Sequence, residues 1–289
     1  MNVYGYQLIG ELGRGAYGTT YLATDNKGNK FAIKTINIYK TQKENLDVTD
    51  EVDVLKDLSR DGCYKYIACY YNNFIEKLNN IPTMFIVLEY VAGGSLKDLI
   101  VNNPGAIIPS YLWPIMFQLL LGLKFIHDRG YAHRDIKTEN ILLSENVTIK
   151  YIDFGFGCVE SCKRLGCKNI CKGTHGTLEY TPPEFFQGIK LDSLEASKAH
   201  DMWSLAVVLF RLCNDAVYPY ENTFMITTDD LKGHIAVAPE FKSNYGADDG
   251  RTDVFVDSLL INDWTLRPTI SVAVDRFIDN ISTVVYNST

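Results

Sequence analysis

The sequence predicts an α+β fold in two lobes, β-rich at the start and mostly helical afterwards. Three observations predict it. The first is a set of strand-like runs before residue 90: Tyr6–Leu12 alternates loosely, Tyr21–Thr24 leads into a turn at Asp25-Asn26-Lys27-Gly28, Lys30–Ile36 follows, and Met84–Tyr90 is continuously apolar up to Gly93-Gly94. One helix interrupts them, over about 45–59, with Val48, Val52, Leu55 and Leu58 at helical spacing. The second observation is the long apolar segments Trp113–His127 and Met202–Leu212, which read as helices. The third is the change of period itself, near residues 90–95, which marks the boundary between a lobe of about 1–90 and one of about 91–289.

The 289 residues suffice for one large domain or two small lobes with a real core. Hydrophobic residues make up 46% and charged residues 22%, as in an ordinary soluble protein. A net charge of −7 argues against a nucleic-acid-binding surface. No apolar run of about 18 residues is present, so no membrane helix is expected. The first residues lack a signal-peptide pattern, and a reducing, cytoplasmic setting is the expectation.

Two short β-rich runs, Ile141-Leu142-Leu143 and Val147–Ile152, flank the polar break Ser144-Glu145-Asn146 and read as a hairpin. A hairpin joins its ends, so Asn140 and Asp153 should lie side by side. An amide oxygen and a carboxylate so placed suit Mg²⁺, a hard cation that takes oxygen ligands and phosphates. Asp135, five residues before Asn140, is then close enough to meet an incoming hydroxyl. Together His133-Arg134-Asp135, Lys137, Asn140 and Asp153-Phe154-Gly155 resemble the catalytic loop and metal-binding turn of protein kinases. The resemblance implies a bilobal kinase-like fold, Asp135 as catalytic base, and Asn140 and Asp153 as Mg²⁺ ligands.

Gly13-Arg14-Gly15-Ala16-Tyr17-Gly18 follows one strand and precedes another, because Thr19-Thr20-Tyr21-Leu22 is β-branched and aromatic. A dinucleotide fold needs a helix there; strand-loop-strand resembles the kinase loop that closes over ATP phosphates. Thr20 stands where the family usually has Val. Phe31-Ala32-Ile33-Lys34 resembles the strand-borne lysine motif, in which Lys34 holds the α and β phosphates. Its orienting carboxylate is assigned to Glu51, which borders the packed face of its helix; Asp53 points about 200° away from that face, and Asp47 is the weaker alternative. Leu88-Glu89-Tyr90-Val91 resembles the hinge, with Leu88 guarding the back pocket, Glu89 and Val91 contacting adenine through the main chain, and Ala32, Leu142 and Ile152 sandwiching the purine.

Lys137 and Thr177 match the Ser/Thr-specific form of the family, Thr177 bracing Asp135 and Lys137. Thr181-Pro182-Pro183-Glu184 resembles the end of the activation segment, with Pro182 in place of Ala, and Arg267 is the implied buried partner of Glu184. His200-Asp201-Met202-Trp203-Ser204-Leu205 resembles the helix whose aspartate anchors the catalytic loop, with Ala206 replacing the usual glycine. The resemblance runs from Gly13 to Arg267, leaving room for a single domain over 1–289.

Of 7 cysteines, Cys158, Cys162, Cys167 and Cys171 crowd into the activation segment, where the family has no such pattern. They leave three readings: a Zn²⁺ site, disulfides, or free thiols. Gly173 occupies the position at which many kinases carry a phosphorylated Thr, so a staple through these cysteines would replace phosphate in ordering the segment. The sequence thus reads as a Ser/Thr protein kinase using ATP and Mg²⁺ on protein substrates. The alternative is a catalytically idle nucleotide-binding scaffold of the same fold; scaffolds typically lose one of the residues equivalent to Lys34, Glu51, Asp135, Asn140 and Asp153, and all of these are present.

Overall fold

The computed structural model describes residues 1–15, 18–43, 47–102, 109–159, 171, 176–187, 189, 192–214, 218–219 and 251–287. Six antiparallel strands open the chain: β1 (Asn2–Val3), β2 (Tyr6–Arg14), β3 (Thr19–Thr24), β4 (Lys30–Asn37), β5 (Tyr70–Leu78) and β6 (Ile81–Glu89), in the order β1-β2-β3-β4-β6-β5. The continuous apolar character of β6 has a structural cause. Met84 and Ile86 face the main core, whereas Phe85 and Val87 join Val3, Ala23 and Ile33 in a second, smaller core on the other face of the sheet. The β5–β6 hairpin, which the sequence reading did not single out, turns at Asn79 and Asn80 with φ of 51° and 66°. Two consecutive positive φ values are what a two-residue turn between twisted strands requires, and Asn tolerates them.

Helix α1 (Ile38–Lys43) extends β4 and was not anticipated. Helix α2 (Val48–Leu58) carries Glu51, and Val52, Val54, Leu55 and Leu58 pin it to the core. Asp47 is its N-cap, accepting from Thr49 N at 2.9 Å. That use satisfies an orphan helix donor and removes Asp47 as a rival to Glu51.

Beyond β6 come α3 (Leu96–Asn102), α4 (Pro109–Asp128), β7 (Tyr131–Ala132), β8 (Ile141–Leu143), β9 (Ile149–Tyr151), β10 (Cys158–Val159), α5 (Pro183–Phe186), α6 (Leu194–Cys213), α7 (Arg251–Asp257) and α8 (Ile270–Asn287). Helix α6 is buried along most of its length and forms the axis of this lobe. The lobes are stitched at their junction, where Gly93 N donates to Leu143 O and Leu143 N to Gly94 O, both at 2.9 Å. A Cβ on Gly93 would meet Leu143 O at 2.4 Å, so only glycine allows this approach.

Two disulfides join Cys63 to Cys69 and Cys158 to Cys171, with Cα separations of 5.1 and 5.0 Å. The first was not foreseen: it closes the loop between α2 and β5. The second resolves the outer pair of the activation-segment cluster. A zinc site built from all four thiolates is thereby corrected, because two of its ligands are spent on each other; Cys162 and Cys167 lie outside the described residues.

Candidate active site

Lys34 projects from β4 and donates to Glu51 Oε1 and Oε2 at 2.7 and 2.8 Å and to Asp153 Oδ1 at 2.8 Å. Burial works against its ammonium form, but the charges of Asp153 and Glu51 outweigh it and raise the Lys34 pKa. The Lys34 charge holds the Asp153 carboxyl down to about 2. Burial pushes the Glu51 carboxyl up against the pull of Lys34, so Glu51 depends on that one cation to stay ionised. Asp153 reaches the pair from a left-handed backbone, φ 63°, a conformation that Asp adopts more readily than most residues. Gly155 backs the cluster: a Cβ there would lie 3.3 Å from Asp153 Oδ1 and 3.6 Å from Glu51 Oε2.

The β8–β9 hairpin pairs Ile141 with Tyr151 and Leu143 with Ile149, and Ile152 N donates to Asn140 O at 3.0 Å. This closes the ends beside Asn140 and Asp153. Asn140 Nδ2 donates to Asp135 O and to Asp135 Oδ2, each at 2.9 Å. With its amino group so engaged, the amide oxygen on the opposite side is the atom a cation would use. Asp135 Oδ2 also receives Lys137 Nζ at 2.8 Å, and Oδ1 receives Thr177 Oγ1 at 2.8 Å. Lys137 Nζ donates to Thr177 Oγ1 at 2.7 Å, closing a triangle around the carboxylate.

Asp201 fixes this loop from below. Its Oδ2 accepts His133 N and its Oδ1 accepts Arg134 N, both at 2.7 Å, while His127 Nε2 lies 2.9 Å from Oδ2. Glu184 and Arg267 form a buried two-pronged pair, both contacts at 2.7 Å. Phe154 is buried against the His133 ring, with centroids 4.8 Å apart.

At the cleft wall, Gly13 pairs with Thr20 across β2–β3 and Thr20 with Lys34 across β3–β4. Gly15 N donates to Gly18 O at 2.9 Å. A Cβ on Gly18 would fall 1.6 Å from Thr35 O, so the turn requires glycine there. Ala32 and Leu88 are register partners, and Leu142 is bridged to Ser95 in the other lobe. All three are half-buried, whereas Val91 is buried. The Glu89 side chain points to the back of the hinge, taking Lys150 Nζ at 2.8 Å and Cys69 N at 3.1 Å. The Glu89 N–H is engaged as well, donating to Cys69 O at 2.8 Å.

Two residues of the site were missed in the sequence. Arg211 on α6 and Tyr180 after Thr177 sit directly beneath the catalytic loop. The signal was there for Arg211: Asp201, Ser204 and Arg211 recur at positions 0, 3 and 10, one stripe of polar side chains on the otherwise apolar stretch 201–213 of the helix.

The Protein kinase domain model matches residues 6–277, so the chain belongs to the protein kinase domain family. It is similar to Serine/threonine-protein kinase cds1 of Schizosaccharomyces pombe, 35% identical over 245 residues that cover 81% of this chain and 50% of that protein. Serine/threonine-protein kinase grp of Drosophila melanogaster is 36% identical over 209 residues, 72% of this chain and 38% of that one. Misshapen-like kinase 1 of Rattus norvegicus is 29% identical over 272 residues, 91% of this chain and 19% of that one. The chain spans half or less of the length of these relatives.

Proposed function

We propose that the protein is a Ser/Thr protein kinase whose single catalytic domain occupies 1–289 and acts on protein hydroxyls. The observation that carries this reading is the triangle of Asp135, Lys137 and Thr177, standing beside the complete Lys34–Glu51–Asp153 cluster. The oxygen donors available, the Asp153 carboxylate and the Asn140 amide, fit a hard cation such as Mg²⁺. Mg²⁺-ATP, when bound, supplies the γ-phosphoryl group and the cation that neutralises developing charge. Lys34 already spends three hydrogen-bond contacts on carboxylates. To take a phosphate it gives up Asp153, whose side chain is 43% exposed, rather than the buried Glu51. Asp135 accepts the proton of the substrate hydroxyl. Lys137 and Thr177 hold its carboxylate in one orientation, and Lys137 places a positive charge beside the transferring group.

The Cys158–Cys171 disulfide serves here as a staple of the activation segment. Cys158 pairs through β10 with Ala132 in β7, next to His133, and Cys171 N donates to Val159 O at 3.1 Å. Both sulfurs are buried against Ala132 and Leu194. No helix among the described residues is long and apolar enough to cross a membrane. In the cytoplasmic setting read from the sequence, thiols are kept reduced, so the staple would close under oxidation, for example by exchange with a small disulfide.

The test is transfer from γ-labelled ATP, with Mg²⁺, to peptide libraries holding Ser, Thr or Tyr. Ser/Thr labelling is expected. Nucleotide binding without transfer would replace this reading with the idle scaffold.

A further inference from the structure

We propose that Arg211 is a positioning residue that holds the catalytic loop and the turn after Thr177 in mutual register. The proposal rests on the kinase reading above for its catalytic meaning. Arg211 lies near the end of α6 and is 3% exposed. Its Nη1 donates to Thr138 Oγ1 at 2.8 Å and to the Tyr180 hydroxyl. Its guanidinium stacks over the Tyr218 ring at 4.2 Å, so the fork is fixed in direction as well as charge.

The two partners belong to the two segments that make the triangle around Asp135. Thr138 follows Lys137 directly and begins the 3-10 turn Thr138–Asn140. Tyr180 ends the 3-10 turn Leu178–Tyr180, for which Thr177 is the N-cap. The Thr138 and Tyr180 hydroxyls also touch each other at 2.9 Å. A guanidinium only donates, so both hydroxyl protons must point away from it. Thr138 Oγ1 reaches Glu139 Oε2 at 3.1 Å, and the Tyr180 hydroxyl has Thr138 Oγ1 at 2.9 Å and Glu139 Oε2 at 3.5 Å as acceptors; Glu139 is held in turn by Lys97 of α3 at 3.0 Å. The direction of the whole hydroxyl network is therefore set by one buried cation.

Helix α6 grips the site at two levels. Asp201 takes the loop at His133 and Arg134, Ser204 Oγ takes Tyr180 O at 2.8 Å, and Arg211 takes Thr138 and the Tyr180 ring. The reacting carboxylate of Asp135 hangs between the two grips. Removing the lower one leaves Asp135 anchored at one end only.

Peptide phosphorylation, nucleotide affinity by fluorescent-analogue titration, and hydrogen exchange are to be compared for wild type, Arg211→Met, Arg211→Lys, Tyr180→Phe and the double variant R211M/Y180F. Arg211→Met should lower kcat about ten-fold and leave nucleotide affinity within about two-fold, with Arg211→Lys recovering part of the loss. The double variant should lose less than the product of the two single losses, because the Arg211–Tyr180 bond can be removed only once, while the Tyr180 contacts to Thr138 and Glu139 go only with its hydroxyl. Exchange should rise at 137–140 and 177–180 and stay constant in α2 and β3. The exchange readout separates the two proposals: an inactive wild type defeats the kinase reading, and exchange still tests the register role. If Arg211→Met does not fold, Tyr180→Phe carries the test, with a smaller loss in kcat at constant nucleotide affinity. Wild-type kcat and exchange in Arg211→Met, losses that multiply in the double variant, or a fall in nucleotide affinity equal to the fall in kcat would each overturn the proposal.

Discussion

Thr177 and Asp135 lie 42 positions apart in the sequence, yet the Thr177 hydroxyl is 2.8 Å from Asp135 Oδ1. In the proposed reading the contact joins the segment that would present a substrate to the carboxylate that would deprotonate it, so orientation and chemistry would depend on the same bond.

Asp135→Asn should reduce turnover by about 10²–10⁴-fold while nucleotide affinity stays close to wild type, because Asp135 does not touch Lys34, Glu51 or Asp153 among the described contacts. Thr177→Ser should retain most activity and Thr177→Val should lose about ten-fold, since only the hydroxyl bridges Asp135 and Lys137. Steady-state kinetics with nucleotide titration decide this, and full turnover in Asp135→Asn would refute its role as base.

Lys34→Met should do two things at once. It should abolish transfer, and it should cost about 2 kcal/mol of stability by leaving buried Glu51 without its cation. A buried carboxylate beside Asp153 ties the fold to this lysine. Glu51→Gln should be milder in stability because Lys34 keeps Asp153. Urea midpoints of the two variants give the comparison, and equal midpoints would count against the coupled cluster.

Arg267→Met should destabilise by about 4 kcal/mol, as removal of one partner strands Glu184 in the core. The paired change Glu184→Met with Arg267→Met should recover part of the loss. A double variant as unstable as the sum of the singles would mean that the two residues are not coupled.

Acid should weaken the fold in two stages. Burial presses His200 down to about 4, with Asp201, Arg134, Arg267 and Asp135 as the charges around it. Between pH 6.5 and 4 the unfolded chain binds a proton that the native state refuses, so stability falls with falling pH, by about 3 kcal/mol in all. Asp153, held near 2 by Lys34, adds a second loss between about pH 4 and 2, where the unfolded carboxyl protonates first. Denaturant midpoints from pH 7 to 4 should slope in wild type and slope less in His200→Gln, with His127, whose pKa burial also lowers, keeping part of the slope; equal slopes would exclude His200.

Reductant should lower activity if the Cys158–Cys171 staple orders the activation segment, and Cys158→Ser with Cys171→Ser should reproduce the loss without reductant. A chelator should have no effect through these residues. Full activity of the double variant would leave the disulfide without a functional role.

Much of the site was legible because it rests on local signals. The hairpin from Ile141 to Tyr151 is set by two β-rich runs and a polar break, and its closure fixed the neighbourhood of Asn140 and Asp153. Once the resemblance called for a carboxylate beside Lys34, helical phase singled out Glu51. Cys63–Cys69 was not, because a separation of six positions gives no pairing signal and the denser cluster at Cys158–Cys171 drew the reading. Arg211 was hidden for another reason: a buried cation whose partners are two hydroxyls and a tyrosine ring has no sequence signature beyond its place on a helical stripe. The direction of Glu89, outward to Lys150 and Cys69, is a tertiary choice between two faces of a strand end.

The dependence of the catalytic loop on α6 also sets the order in which a growing chain can become competent. By the time residue 190 has been synthesised, Glu51, Asp135 and Asp153 have been made, yet Asp201, Ser204 and Arg211 have not, and Arg267 follows still later. A nascent chain of that length holds a complete sheet and a possible nucleotide cleft but lacks the floor on which His133, Arg134 and Thr138 are set. Chains that stop before α6 should therefore be inactive, and a break placed between α5 and α6 should yield two halves that are each inactive alone.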